Sequence, residues 1–225
     1  MPPPRVIAID GPAASGKTTL AQRLADRLGY LFFDTGVMYR AATLAALQRK
    51  VAIDNQAEVE AIAEGLEIDV RPSSLTDGRL YDVIVDGSDV TWAIRSRAVD
   101  AQVSQVSAYA GVRRAMTKRQ RQIARRGRVV MAGRDIGTVV MPEADVKLYV
   151  IASRDERSRR RYRELIDRGE SADLEAIDAA MQARDRFDAS RELAPMRPAA
   201  DAHVLDTTAL TIDEAVERAM EWVGA

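Results

Sequence analysis

The stretch RVIAIDGPAASGKTTLAQRL, residues 5–24, decides how the rest of the chain is read. Residues 6–9 are a short, largely β-branched run of strand character. Gly11-Pro12-Ala13-Ala14-Ser15-Gly16-Lys17-Thr18 then follows the spacing Gly, four residues, Gly-Lys-Ser/Thr, which is that of a phosphate-binding P-loop. Gly11 and Gly16 let the backbone curl until its N–H groups point inward, where they and the next helix N-terminus hold phosphate oxygens. In such a loop Lys17 reaches the β- and γ-phosphates, and the Thr18 hydroxyl is placed to ligate Mg2+. Leu20, Ala21, Leu24, Ala25 and Leu28 recur at helical spacing, the apolar stripe of a helix docked on a sheet. Strand, loop and helix therefore stand in the order the motif requires.

Composition narrows the chemistry available. The chain has 225 residues, enough for one full core with a small insert. Hydrophobic residues make up 47% and charged residues 30%, and no apolar run approaches a membrane span, so a soluble, membrane-free, cytoplasmic protein is expected. The opening MPPPRVIAID does not have the pattern of a secretory signal. With no cysteine and a single histidine, His203, disulfides, thiolate metal sites and histidine clusters are excluded. Chemistry must come from carboxylates, Arg, Lys, hydroxyls and bound metal. A net charge of −1 argues against general nucleic-acid binding. Lys17, Lys50, Lys118 and Lys147 are the only lysines among 33 basic residues, and the arginine bias suits bidentate phosphate recognition.

Beyond the loop, residues 30–33 read as a second strand ending in Asp34-Thr35-Gly36, and residues 37–47 as a helix with Tyr39 and Arg40 in its first turn. Residues 57–63 are also helical in pattern. From 67 to 90 the pattern switches to alternation, broken at Ser73-Ser74, Asp77-Gly78 and Asp86-Gly87, which predicts a small antiparallel β insert. Helical spacing returns over 97–126, where Lys118, Arg119, Arg121, Arg125 and Arg126, with Arg128 beyond, read as a solvated basic face. Strands are predicted at 129–132, 146–151 and 203–205, and Thr211-Ile212-Asp213-Glu214 is a capping box opening a last helix. Strands alternating with helices predict an α/β fold: a five-stranded parallel sheet flanked by helices, with the β insert and a short helical lid. His203, alone in a strand, reads as structural.

A P-loop by itself is shared by motors, switches, transporters and kinases. Two further clusters bear on the choice. Arg154, Arg157, Arg159, Arg160, Arg161 and Arg163 crowd three helical turns, where like charges repel unless an anion or solvent screens them, as in a lid over polyphosphate. In RDRFDASR, Arg184, Asp188 and Arg191 fall at i, i+4 and i+7 and so share one helix face. That face is a salt-bridge ladder or, together with Arg40 and Arg134, a clamp for a second phosphate.

The combination IDGPAASGKTT, DTGVMYR, GRDIGTVVMPEADVKLY and RDRFDASRELAPMRPAADA resembles the bacterial cytidylate kinases, P-loop nucleoside monophosphate kinases. The resemblance implies transfer of the ATP γ-phosphoryl group to CMP or dCMP, with Mg2+ accompanying ATP through Thr18. It implies that Gly11, Pro12, Ala13, Ala14, Ser15, Gly16, Lys17, Thr18 and Thr19 bind ATP, with Arg157, Arg160 and Arg161 as lid residues on that side. Thr35, Arg40, Arg134 and Arg191 would approach the CMP phosphate, Ser104, Arg113 and Asp135 the cytosine, and Arg184 and Asp188 the sugar. Lys17, Arg134, Arg157, Arg161 and Arg191 are the expected catalytic set. Thr35 departs from the serine common in that family but keeps the hydroxyl. Cytosine presents a donor amine beside two acceptors, which one carboxylate plus Arg and Ser donors would match. The implied division is a core of residues 1–36, 97–153 and 192–225, an acceptor-binding insert 37–96 and a lid 154–191, acting as a monomer.

Overall fold

Val6–Asp10 (β1) is buried along its whole length, as expected of a strand covered on both faces of a parallel sheet. The computed structural model describes residues 3–224, which form two compact units: residues up to Tyr30 together with those from Val130 onward, and Leu31–Val129.

In the first unit β1 leads through the glycine-rich loop into Lys17–Leu28 (α1). Leu20, Ala21, Leu24 and Ala25 of α1 are buried, and Gly29 caps its C-terminus in the left-handed conformation at φ 65°. Val146–Ile151 (β7) pairs in parallel with β1, Ile7 opposite Val146 and Asp10 opposite Tyr149. His203–Asp206 (β8) pairs in parallel with β7 in turn. Arg154–Asp167 (α6) and Leu174–Ser190 (α7) lie between those two strands in sequence and pack on each other. Ile212–Val223 (α8) closes the unit against α1, burying Ala215, Val216, Ala219, Met220 and Val223. Its predicted capping box is present: Thr211 Oγ1 accepts from Glu214 N, and Glu214 Oε2 accepts from Thr211 N at 2.8 Å. His203 is exposed and stacks on Trp222, ring centroids 4.9 Å apart, in keeping with a structural role.

In the second unit Leu31–Asp34 (β2) precedes Gly36–Gln48 (α2) and Gln56–Gly65 (α3). The β insert is three antiparallel strands, Ile68–Pro72 (β3), Tyr81–Val85 (β4) and Ser88–Asp89 (β5). Asp86 and Gly87 both take positive φ between β4 and β5, the backbone of a two-residue hairpin turn. Arg79, its side chain 5% exposed, pairs with Asp77, Asp82 and Asp89 and ties the long β3–β4 loop to the hairpin.

Two elements differ from expectation. The helical pattern over 97–126 is divided into Arg97–Val106 (α4) and Ala110–Ala124 (α5). Tyr109 turns extended between them, and Ser107 Oγ donates back to the Ser104 carbonyl at the end of α4, a break that apolar spacing alone does not show. Val129–Gly133 (β6) is followed by a single π-helical turn over Ile136–Val140, invisible to a period of 3.6. The five strands order as β2-β6-β1-β7-β8, the predicted parallel sheet. Thr211→Ala, which removes one half of the capping box, is expected to lower unfolding free energy by about 1 kcal/mol, read as a shift of the urea midpoint at constant m value.

Candidate nucleotide-binding site

The loop between β1 and α1 is shaped by contacts that only particular residues permit. Gly11 has φ 148°, and a Cβ there would lie 2.1 Å from the Val150 carbonyl oxygen. Gly16 enters α1 at φ 88° with no side chain capping the helix, and α1 has no acidic residue in its first turn. The helix start therefore presents its N–H groups and positive dipole end to an anion. Lys17 Nζ donates to the Pro12 carbonyl at 2.8 Å, closing the loop on itself. Ser15 is fully buried, and its hydroxyl has no hydrogen-bond partner within the protein. Thr18 and Thr19 are exposed in the first turn of α1.

Arginines from α6 meet this loop directly. Arg157 donates through Nη1 to the Ala13 carbonyl at 3.2 Å and pairs with Asp185 of α7 at 2.6 Å. Arg160 donates to Thr207 Oγ1 at 3.0 Å and to the Thr207 carbonyl at 2.7 Å, while Thr207 Oγ1 donates to the Ser15 carbonyl at 2.9 Å. Arg161 pairs with Glu164 of its own helix at 2.8 Å.

Opposite charges are gathered around Asp188, which is 3% exposed on α7. Its Oδ2 accepts from Arg134 Nε at 3.0 Å, and its Oδ1 accepts from Arg191 Nη2. Two guanidinium groups thus share one carboxylate, which leaves a net positive charge suited to a further anion. Arg191 stands just past the last residue of α7 with extended backbone, so the predicted shared face holds for Arg184 and Asp188 while Arg191 reaches Asp188 from the helix end. The Arg191 guanidinium also lies 5.1 Å from the Phe187 ring centroid. Arg184 is exposed on α7, and Asp135 is buried at the start of the π-helical turn.

The second unit carries the remaining predicted residues. Thr35 is buried at the N-cap position of α2, and Arg40 donates to the Ile94 carbonyl at 3.0 Å and pairs with Asp100 of α4 at 2.6 Å. Arg113 is 5% exposed, donates to the Ser107 carbonyl at 3.2 Å and sits 5.4 Å from the Tyr39 ring centroid. Ser104 is exposed on α4 and is linked to Arg113 through Ser107, whose hydroxyl donates to the Ser104 carbonyl.

Sequence reading missed Asp10, Asp185 and Thr207. A carboxylate inside an otherwise apolar strand was the available signal for Asp10. It is 4% exposed, and burial pushes its carboxyl up to about 6, with the Asp135 charge adding to the rise. Hydrogen bonds from the Gly137 and Ile136 N–H groups and the charge of Lys17 pull the other way.

A family model described as cytidylate kinase matches residues 7–225. A curated protein named cytidylate kinase from Chloroflexus aggregans is 52% identical over 213 residues, covering 95% of this chain and 91% of its own length. Another of that name, from a Geobacillus species, is 48% identical over 217 residues, covering 96% and 95%. Among solved structures, an uncharacterised protein from Eubacterium ventriosum superposes with a TM-score of 0.55 at 10% identity, covering 98% of this chain and 99% of its own, a likeness of fold.

Because the folded-state pKa of Asp10 lies at about 6 against an ordinary 3.8, the folded chain binds this proton more tightly than the unfolded one. The group's contribution to stability is therefore greatest at low pH and is lost as pH rises from about 4 to about 6. Relative to Asp10→Asn, the parent is expected to lose on the order of 2 kcal/mol between about pH 4.5 and about pH 7, measured by urea unfolding.

Proposed function

The chain belongs to the cytidylate kinase family, and from that premise we propose that it is an ATP-dependent kinase converting CMP or dCMP to CDP or dCDP. The observation that carries the reading beyond a bare P-loop is the Arg134–Asp188–Arg191 cluster. A switch that hydrolyses one bound triphosphate has no use for a second phosphate clamp, whereas a phosphoryl acceptor requires one.

A CMP phosphate oxygen attacks the γ-phosphorus of ATP, the bond from that phosphorus to the bridging oxygen breaks, and ADP leaves with the electron pair. The acceptor is already anionic at neutral pH, so no dedicated general base is needed. What the protein supplies is alignment and charge neutralisation. Lys17, the backbone N–H groups of Gly11 and of Ala13 to Thr19, and the Pro12 turn between them hold the triphosphate, and Arg157, Arg160 and Arg161 attend it from α6. Arg134 and Arg191 hold the CMP phosphate, with Thr35 and Arg40 assigned to it as well. Asp135 accepts from the cytosine amine, and Arg113 and Ser104 donate to its acceptor edge. Arg184 and Asp188 are assigned to the sugar. Uracil would set an oxygen against Asp135, so a mismatch of several kcal/mol on the order of a lost buried hydrogen bond disfavours UMP.

Mg2+ fits the donor set. Among the described residues there is no group of three His, Cys, Asp or Glu able to hold a metal, and Thr18 offers an exposed hydroxyl at the start of α1. A cation held chiefly by phosphate oxygens and water, with one protein hydroxyl, is the coordination Mg2+ favours. When bound it neutralises polyphosphate charge.

Residues 154–191 act in this reading as a lid that excludes water, residues 37–96 as the acceptor-binding insert, and residues 1–36, 97–153 and 192–225 as the core. No helix among the described residues is long and apolar enough to cross a membrane. Action as a cytoplasmic monomer, where ATP and CMP are supplied, completes the proposal, and light scattering tests its monomeric part.

An ADP-release assay across CMP, dCMP, UMP, AMP and GMP is expected to show CMP and dCMP as the best acceptors, and a different best acceptor overturns the reading. Lys17→Ala is expected to lower kcat/KM by about a thousandfold or more, whereas Asp135→Ala raises the CMP KM by about a hundredfold and narrows the preference over UMP.

A further inference from the structure

Asp10 ends β1 one residue before the phosphate-binding loop, yet both of its carboxylate oxygens bond to another segment. Oδ1 accepts from Ile136 N at 2.7 Å and Oδ2 from Gly137 N at 2.8 Å. Those two N–H groups open the π-helical turn directly after Arg134 and Asp135. The Asp135 carbonyl is held from the other side, accepting from Val139 N at 2.9 Å and Val140 N at 3.1 Å. Asp135 itself has φ −145° and ψ 25°, outside both the helical and the strand wells. Gly137 packs beside both Asp10 and the Lys147 side chain: a Cβ there would lie 3.5 Å from Asp10 Oδ2 and 3.2 Å from Lys147 Cδ. A buried carboxylate is a costly way to tie two segments together. Here its geometry serves one purpose: both oxygens are spent on the turn that carries Arg134 and Asp135.

We propose that Asp10 is a positioning residue for the acceptor: its carboxylate fixes the Arg134–Asp135 turn to the strand that launches the phosphate-binding loop, and so sets donor and acceptor in register. The proposal rests on the reading in which Arg134 meets the acceptor phosphate and Asp135 the base. Arg134 is also held by Asp188, whereas Asp135 directly precedes the two N–H groups that Asp10 holds, so the effect of Asp10 is expected chiefly at Asp135. The expected signature is a selective defect in acceptor recognition.

The test is steady-state kinetics of Asp10→Asn with CMP, UMP and ATP varied in turn, alongside a thermal melt. The amide keeps the side chain's size and one acceptor, and loss of a buried charge offsets the lost hydrogen bond, so the variant is expected to fold. The CMP KM should rise about tenfold or more, the preference for CMP over UMP should shrink, and the ATP KM should stay within about twofold, with kcat falling less than the CMP KM rises. In an Asp135→Ala background the same substitution should change the CMP KM by less than about twofold, because its effect runs through Asp135. Equal rises in the ATP and CMP KM values, or a lowered melting temperature with both KM values unchanged, would overturn the proposal. Full additivity of the two substitutions would overturn it as well. If Asp10→Asn does not fold, Asp10→Ser is put through the same comparison and judged by the same outcomes. A parent enzyme with no preference for CMP refutes the functional reading instead, while a CMP-preferring parent whose preference survives Asp10→Asn refutes only the role of Asp10.

Discussion

The nucleotide-binding unit depends on one close approach, that of Gly11 to the carbonyl of Val150. Parallel pairing sets Asp10 beside Tyr149, so the next residue of each strand meets where β1 must leave the sheet. A side chain at position 11 would overlap the carbonyl oxygen, and the backbone takes a φ that side-chain-bearing residues rarely adopt. From that point the chain curls, and α1 begins six residues later. β7 ends one residue past Val150, at Ile151, and the chain reaches Ser153, which caps α6, the helix that bears Arg157 and Arg160. Loop and arginines are thus placed from the ends of two neighbouring strands, at the carboxyl edge where open α/β sheets collect ligands.

Around this frame the arginines are held by carboxylates, and the ratio of the two is informative. Asp188 serves Arg134 and Arg191 together, Asp185 serves Arg157, and Asp100 serves Arg40. Each acid fixes a guanidinium without cancelling the positive charge of the Arg134–Arg191 cluster. Arginine suits this double duty, since its planar fork can hold a protein carboxylate on one edge and keep N–H groups directed elsewhere. Lys17, a point charge on a flexible stem, stands in the loop itself, 7% exposed.

Much of this was legible in the residues. The P-loop, the Asp86-Gly87 turn and the Thr211–Glu214 box are each written in a few adjacent positions, and each stands where its chemistry requires. What escaped reading is non-local. Asp10, Asp185 and Thr207 matter through partners 126, 28 and 192 residues away in sequence, which no local period encodes. The break between α4 and α5 escaped for a different reason. Ser107 is a tolerable helix residue by propensity, and the extended backbone at Tyr109 that separates the two helices leaves no mark in the apolar spacing. Arg191 lies past the end of α7 although its spacing fits the helix, and its guanidinium still reaches Asp188 from there.

The bond from Lys17 Nζ to the Pro12 carbonyl has a further consequence. A lysine side chain ordered only on arrival of its ligand would give up rotamer freedom worth up to about 2 kcal/mol at that moment. Here the four-carbon stem is already curled over the loop and its ammonium already aimed inward, so that ordering belongs to folding. Arrival of an anionic phosphate then exchanges a neutral carbonyl partner for a charged one. In the proposed reading the protein meets nucleotide with the Lys17 ammonium pre-organised, and more of the charge attraction is left to appear as affinity.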